Sequence, residues 1–293
     1  MVSPKPDYAA FFRFSQRPFS LTPDPKFYFR SRSHSRVFDA LSAAISRRES
    51  LMLVTGDLGV GKTTLCRTLL DLQERKSRAA LVGNALLSPE DLLRLMLQDL
   101  GALSKEDVAQ GRLVSADRAE LVTMFDRFLG QLHASDNGAV IIVDEAHSLP
   151  PATRDQVMEI ASLESNRDRV LQFLLAAQPA VGGAATLPAF ADAQLGVRAR
   201  LLPLEREECE RYVTHRLAIG GGNAVTFSTQ AVEVIYTLSG GVPRLVNLLC
   251  ERGLQEAAAT EANRVEPGMI QSAAAALDLV RLRPKRFRWY GTK

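Results

Sequence analysis

The sequence predicts an α/β protein: a parallel sheet core flanked by helices, followed by a small all-helical domain. Three observations carry this. The apolar run Leu51-Met52-Leu53-Val54 leads into the glycine loop Gly56-Asp57-Leu58-Gly59-Val60-Gly61-Lys62-Thr63, and a helical pattern starts at Lys62. A second unbroken apolar run, Ala139-Val140-Ile141-Ile142-Val143, ends in Asp144-Glu145, as expected for a strand covered on both faces. Beyond Pro203 the β signal vanishes and helical patterns take over.

Along the chain, residues 1–30 form an arm rich in Phe and Tyr in which Pro18, Pro23 and Pro25 rule out a continuous helix. So many aromatic rings are costly to leave in water, so the arm is expected to pack on the domain or on a base. A helix over 31–49 brings the chain to the first strand, and Ala79-Ala80-Leu81-Val82 reads as the second. Helices follow from Ser88 and from about Asp117, and another runs from Thr153 to Ser165 after the acid pair. Leu171-Gln172-Phe173-Leu174-Leu175-Ala176 reads as a further strand, and helical patterns run over 205–218, 228–239, 242–258 and 266–279. The expected division is an arm (1–30), a core domain (31–204), a helical lid (205–279) and a basic tail (280–293).

A strand, a glycine loop and a helix N-terminus aim backbone N–H groups at one spot where the helix dipole also favours an anion. That chemistry suits phosphate. Gly56, Gly59 and Gly61 permit the close approach, with Asp57, Leu58 and Val60 between them and Thr64 following. Lys62 is then expected to neutralise the β/γ-phosphates, and the Thr63 hydroxyl to ligate Mg²⁺. Asp144 and Glu145 emerge at the carboxyl end of their strand, where open α/β sheets place ligands, and neighbouring strand residues point to opposite sides. Asp144 is placed to hold Mg²⁺ and Glu145 to act as base toward the attacking water, so the expected cofactors are ATP and Mg²⁺. Gln178, at the tip of the strand after Leu171, either touches the γ-phosphate and orients water or simply caps the strand. Asp-Glu-Ala-His also occurs in helicases, but no helicase motif follows. His147 reads as a loop residue rather than a metal ligand, because no second His or Cys stands at metal spacing.

With 293 residues and 46% hydrophobic content, the chain can bury a large core. A net charge of +3 is too small to imply nucleic acid by itself. Cys66, Cys209 and Cys250 are widely spaced and form no CxxC, which reads as reduced thiols in a cytosolic protein. The polar stretch from Met1 to Asp7 is not a secretory signal, and no run approaches the roughly 18 apolar residues of a membrane span.

Taken in order, arm, phosphate loop, acid pair and lid resemble the AAA+ ATPases. More narrowly the chain resembles general secretion pathway protein A and its relatives in pilus and exopolysaccharide systems. The selective stretches are Arg17-Pro18-Phe19-Ser20-Leu21-Thr22-Pro23-Asp24-Pro25, Phe27-Tyr28, Ser31-Arg32-Ser33-His34, Gln178-Pro179 and Gly240-Gly241-Val242-Pro243-Arg244-Leu245. The resemblance implies that Gln178 is the first sensor and that Arg244 is the second, reaching the phosphates from the lid. It also implies nucleotide-dependent self-association, a protein partner in an envelope or secretion system, and a place in the cytoplasm or at the periphery of the inner membrane.

Two departures stand out. Where the family usually carries Gln-Arg-Ile, this chain reads Ala193-Gln194-Leu195. Arg198 matches a second family arginine and Arg200 lies nearby, so either is a candidate finger for a neighbouring subunit. Larger relatives continue into a membrane span and a peptidoglycan-binding domain, whereas this chain ends in Arg281-Leu282-Arg283-Pro284-Lys285-Arg286-Phe287-Arg288-Trp289-Tyr290 before Lys293. Such a tail suits an anionic membrane surface or nucleic acid alike, or is only a solubilising extension. Three functions compete: an ATPase for envelope or secretion assembly, a nucleic-acid-binding regulator like the transposon target-selection ATPases, and a nucleotide-gated scaffold.

Overall fold

A computed structural model describes residues 7–73, 78–83, 86–102, 106, 109, 111–165, 169–179, 195–221 and 224–278. The chain divides into two units. One is Arg32–Leu202, and the other joins the chain before Arg32 to the chain from Pro203 onward.

The first unit is built on a parallel sheet. Its strands are β1 (Leu51–Thr55), β2 (Arg78–Val82), β3 (Ala139–Val143), β4 (Leu171–Ala177) and β5 (Leu195–Arg200). Among the described residues their order is β2-β3-β4-β1-β5, with every pairing parallel. β4 lies between β1 and β3, with Leu51 opposite Phe173 and Val143 opposite Leu175. The three inner strands β3, β4 and β1 are buried almost throughout, which explains their lack of polar alternation. Gln172 is the polar exception in β4. Its amide donates to the carbonyls of Ile45 and Glu49, 3.0 and 3.2 Å away, so the buried group is satisfied. β5 lies at the sheet edge and alternates between half-buried and exposed positions.

Helices cover the sheet: α2 (Arg32–Ser46), α3 (Lys62–Gln73), α4 (Pro89–Asp99), α5 (Arg112–Ser115), α6 (Arg118–Ala134) and α7 (Pro151–Ser165). α4 starts where expected because the Ser88 side chain accepts from the Asp91 N–H and Pro89 occupies the first turn. α6 opens on a capping box between Asp117 and Glu120. Leu93, Met96, Phe125 and Phe128 pack with Leu53, Ile141 and Phe173 into one core, each such side chain contributing about 1.5–3 kcal/mol by leaving water.

The second unit holds α1 (Tyr8–Phe11), α8 (Arg206–Ile219), α9 (Thr229–Ser239), α10 (Pro243–Ala259) and α11 (Pro267–Ala276). α9 is capped by Ser228 at its start and closed by Gly240 in the left-handed region, φ 59°. One amendment to the sequence reading arises here: β6 (Thr226–Phe227) pairs in parallel with β7 (Arg264–Val265). Two residues are too few to show a period, so no pattern announced them.

The aromatic arm is part of this second core. Tyr8, Phe12 and Phe19 are buried with Tyr212, Val246 and Leu249, and the Tyr8 hydroxyl donates to Glu251. Arg216, buried on α8, fixes the arm by its backbone, donating to the carbonyls of Pro18 and Ser20. Its guanidinium also lies 4.5 Å from the centre of the Phe27 ring and 3.0 Å from the Tyr212 hydroxyl. Among the described residues no helix is long and apolar enough to cross a membrane.

A candidate nucleotide site at the ends of β1, β3 and β4

The loop from Gly56 to Thr63 joins β1 to α3. Gly56 passes so close to the Leu201 carbonyl that a Cβ there would stand 2.8 Å from it, and Gly61 adopts φ 107° against His34. Both positions require glycine. His34, buried on α2, lies with Nε2 3.0 Å from the Val60 carbonyl. A carbonyl only accepts, so the proton sits on Nε2 and the imidazole braces the loop from behind. Lys62 is buried, and its ammonium donates to the carbonyls of Gly56 and Asp57 at 2.8 and 3.1 Å. Two of its three donors thus hold the loop, leaving capacity for a phosphate. Leu58 projects outward, 63% exposed.

Across from the loop, β3 delivers Asp144, whose Oδ2 accepts a hydrogen bond from Thr63 Oγ1 at 2.6 Å. Its other oxygen accepts from the Glu145 N–H at 2.9 Å. A hydroxyl and a carboxylate converging on one point form a hard-oxygen donor pair of the kind Mg²⁺ takes, alongside waters and phosphate oxygens. Glu145 then leaves the strand in the left-handed region, φ 50° and ψ 38°, and opens a short 3₁₀ turn over Ala146–Ser148. A non-glycine residue there costs about 1 kcal/mol.

Gln178 follows β4, so the sheet order sets it between the phosphate loop and the acid pair. Its amide nitrogen lies 3.2 Å from Glu145 Oε2. His147 joins the same carboxylate, a contact that the loop reading of this residue missed: Nε2 is 3.3 Å from Glu145 Oε2, and the Gln178 backbone N–H donates to Nδ1 at 3.4 Å. No spacing rule would have found it, because the approach depends on the turn at Glu145. Beneath the site, burial pushes the Cys66 thiol well up, and the Asp144 charge adds to this against Lys62. That thiol stays protonated and inert.

Other expected residues stand elsewhere. Arg198 and Arg200 occupy exposed positions of β5, in register with Leu53 and Thr55. Arg244 follows Pro243 in the first turn of α10, exposed, in the second unit. Gln194 and the basic tail from Arg281 lie outside the described residues.

Residues 45–182 match the family described as AAA domain. Over 269 residues the chain is 31% identical to general secretion pathway protein A of Aeromonas hydrophila, which covers 91% of this chain. The chain thus carries an AAA domain and is similar to this secretion-pathway protein over most of its length. It spans about half of that relative, 48% of its length. Among solved structures, the Aeropyrum pernix ORC2 protein superposes with a TM-score of 0.67 at 15% identity, covering 89% of this chain and 72% of its own. The Thermotoga maritima RuvB branch migration motor gives 0.56 at 19%, with the same coverages of 89% and 72%. At such identities they show the fold alone.

Proposed function

We propose that this AAA+ chain binds ATP with Mg²⁺ and hydrolyses it to drive or switch assembly of a bacterial envelope or secretion apparatus. The observation that carries the reading is the Thr63–Asp144 hydrogen bond between the phosphate loop's helix and the end of β3, with the Gln178–Glu145 contact at the ends of the neighbouring strands. The phosphates rest on the backbone N–H groups from Gly59 to Thr63, and Lys62 swings a donor toward the β/γ oxygens. Thr63 and Asp144 would hold Mg²⁺, which would supply charge neutralisation on the phosphate oxygens. Glu145 accepts a proton from water as its oxygen bonds to the γ-phosphorus and the bond to the β–γ bridging oxygen breaks, releasing ADP and phosphate.

Arg244 acts as the second sensor, and Arg198, or after it Arg200, as the finger offered to a neighbouring subunit. The secretion role rests on the likeness to general secretion pathway protein A, and the expected station is the cytoplasm or the periphery of the inner membrane. Binding of a fluorescent ATP analogue tests the site. Lys62→Ala removes the loop's cation and should weaken affinity at least tenfold, about 1.4 kcal/mol. Undiminished affinity would place the site elsewhere.

A further inference from the structure

Glu145 is a half-exposed carboxylate on a turn, a poor start for a base that must point one oxygen at one water. Its side chain is 38% exposed and its backbone is left-handed. The turn that follows closes with the Ser148 N–H donating to the Glu145 carbonyl at 2.8 Å. Two residues on, His147 comes back over the Glu145 side chain.

The protonation of that imidazole follows from its neighbours. The Gln178 backbone N–H can only donate, so Nδ1, 3.4 Å away, is the acceptor. A neutral ring then carries its hydrogen on Nε2, which faces Glu145 Oε2 at 3.3 Å. The Gln178 amide reaches the same oxygen at 3.2 Å. A carboxylate only accepts, so it is the amide nitrogen that faces Glu145, and this nitrogen keeps a second hydrogen for a phosphate. Among the described residues, the Gln178 hydrogen bond and the His147 contact to this carboxylate both fall on Oε2. That leaves Oε1 to receive the proton.

We propose that His147 is a positioning residue for hydrolysis, tying Glu145 Oε2 to the backbone at the end of β4 so that Oε1 is presented to the attacking water. The inference rests on Glu145 being the base. The anchor is main chain continuous with a buried strand, so the imidazole gives the base a fixed reference that the Gln178 side chain cannot give. Gln178 then reads the γ-phosphate with its second hydrogen without releasing the base.

The test is steady-state phosphate release by the full chain with His147→Ala and His147→Gln. Glutamine carries both an acceptor for the Gln178 N–H and a donor for Glu145, so it retains the connection in another geometry. His147→Ala should lower kcat roughly 10- to 100-fold, the cost of a misplaced catalytic group, with KM for ATP and analogue binding unchanged. His147→Gln should recover most of kcat. An alanine variant with the parent's kcat or a higher one, a KM that rises in step, or a glutamine variant as slow as alanine would each overturn the proposal. A Glu145→Gln chain as active as the parent would remove the base itself and with it the reading of the site. A slow Glu145→Gln beside an unaffected His147→Ala would sink the positioning role alone.

Discussion

Thr63 Oγ1 donates to Asp144 Oδ2 across 2.6 Å, linking the start of α3 to the end of β3. The contact brings together two oxygens from distant points in the chain, and under the proposed function they are the pair that would hold a hard cation.

Thr63→Val is therefore expected to keep the shape of the helix start while losing the cation ligand. Nucleotide affinity should become insensitive to Mg²⁺, and Asp144→Ala should do the same. Titrating an ATP analogue with and without Mg²⁺ checks this. A valine variant with the parent's Mg²⁺ dependence would remove Thr63 from the metal site.

Arg216 should carry much of the stability of the second unit. It is buried, and its donors serve Pro18, Ser20 and Tyr212. Arg216→Ala leaves those acceptors without their donor and frees the arm, at a cost of about 2–4 kcal/mol. Urea unfolding followed by arm-directed proteolysis would show it. Arg216→Lys should recover little, because an ammonium cannot reach the same set of carbonyls in the guanidinium's fork geometry.

Strands β1 to β4 and the acid pair were legible because each is a short, local, apolar run ending in a polar signal, whereas β5 was not, because Gly196, Arg198 and Arg200 interrupt its apolar pattern. Gln178 at the tip of its strand was legible in the same way, and the sheet order, which no local run encodes, sets β4 between β1 and β3. The arm was legible only as aromatic and in need of cover. Its cover comes from residues about two hundred positions away, such as Arg216 against Pro18, and no local pattern encodes such a pairing. His34 against Val60 and His147 against Glu145 were missed for a related reason. A single histidine carries no period, and its partner is set by the tertiary path of the chain.

Arg198 stands exposed on an edge strand, in register with Leu53 of β1. As a finger for a neighbouring subunit it can be worth about 10³-fold or more in turnover. Specific activity should then rise with protein concentration. Arg198→Ala should flatten that rise while leaving nucleotide binding intact, and Arg200→Ala should do so less. Activity per chain independent of concentration, with light scattering of a monomer in ATP and Mg²⁺, would reject the finger.

Single-turnover phosphate release from Glu145→Gln bound to ATP and Mg²⁺ tests the whole account most directly. Glutamine keeps the side chain's size and removes the proton acceptor, so the variant should bind ATP like the parent. Its cleavage should be slower by about 10²-fold or more. Phosphate released at the parent's rate would contradict a site in which the carboxylate beside Gln178 activates the attacking water.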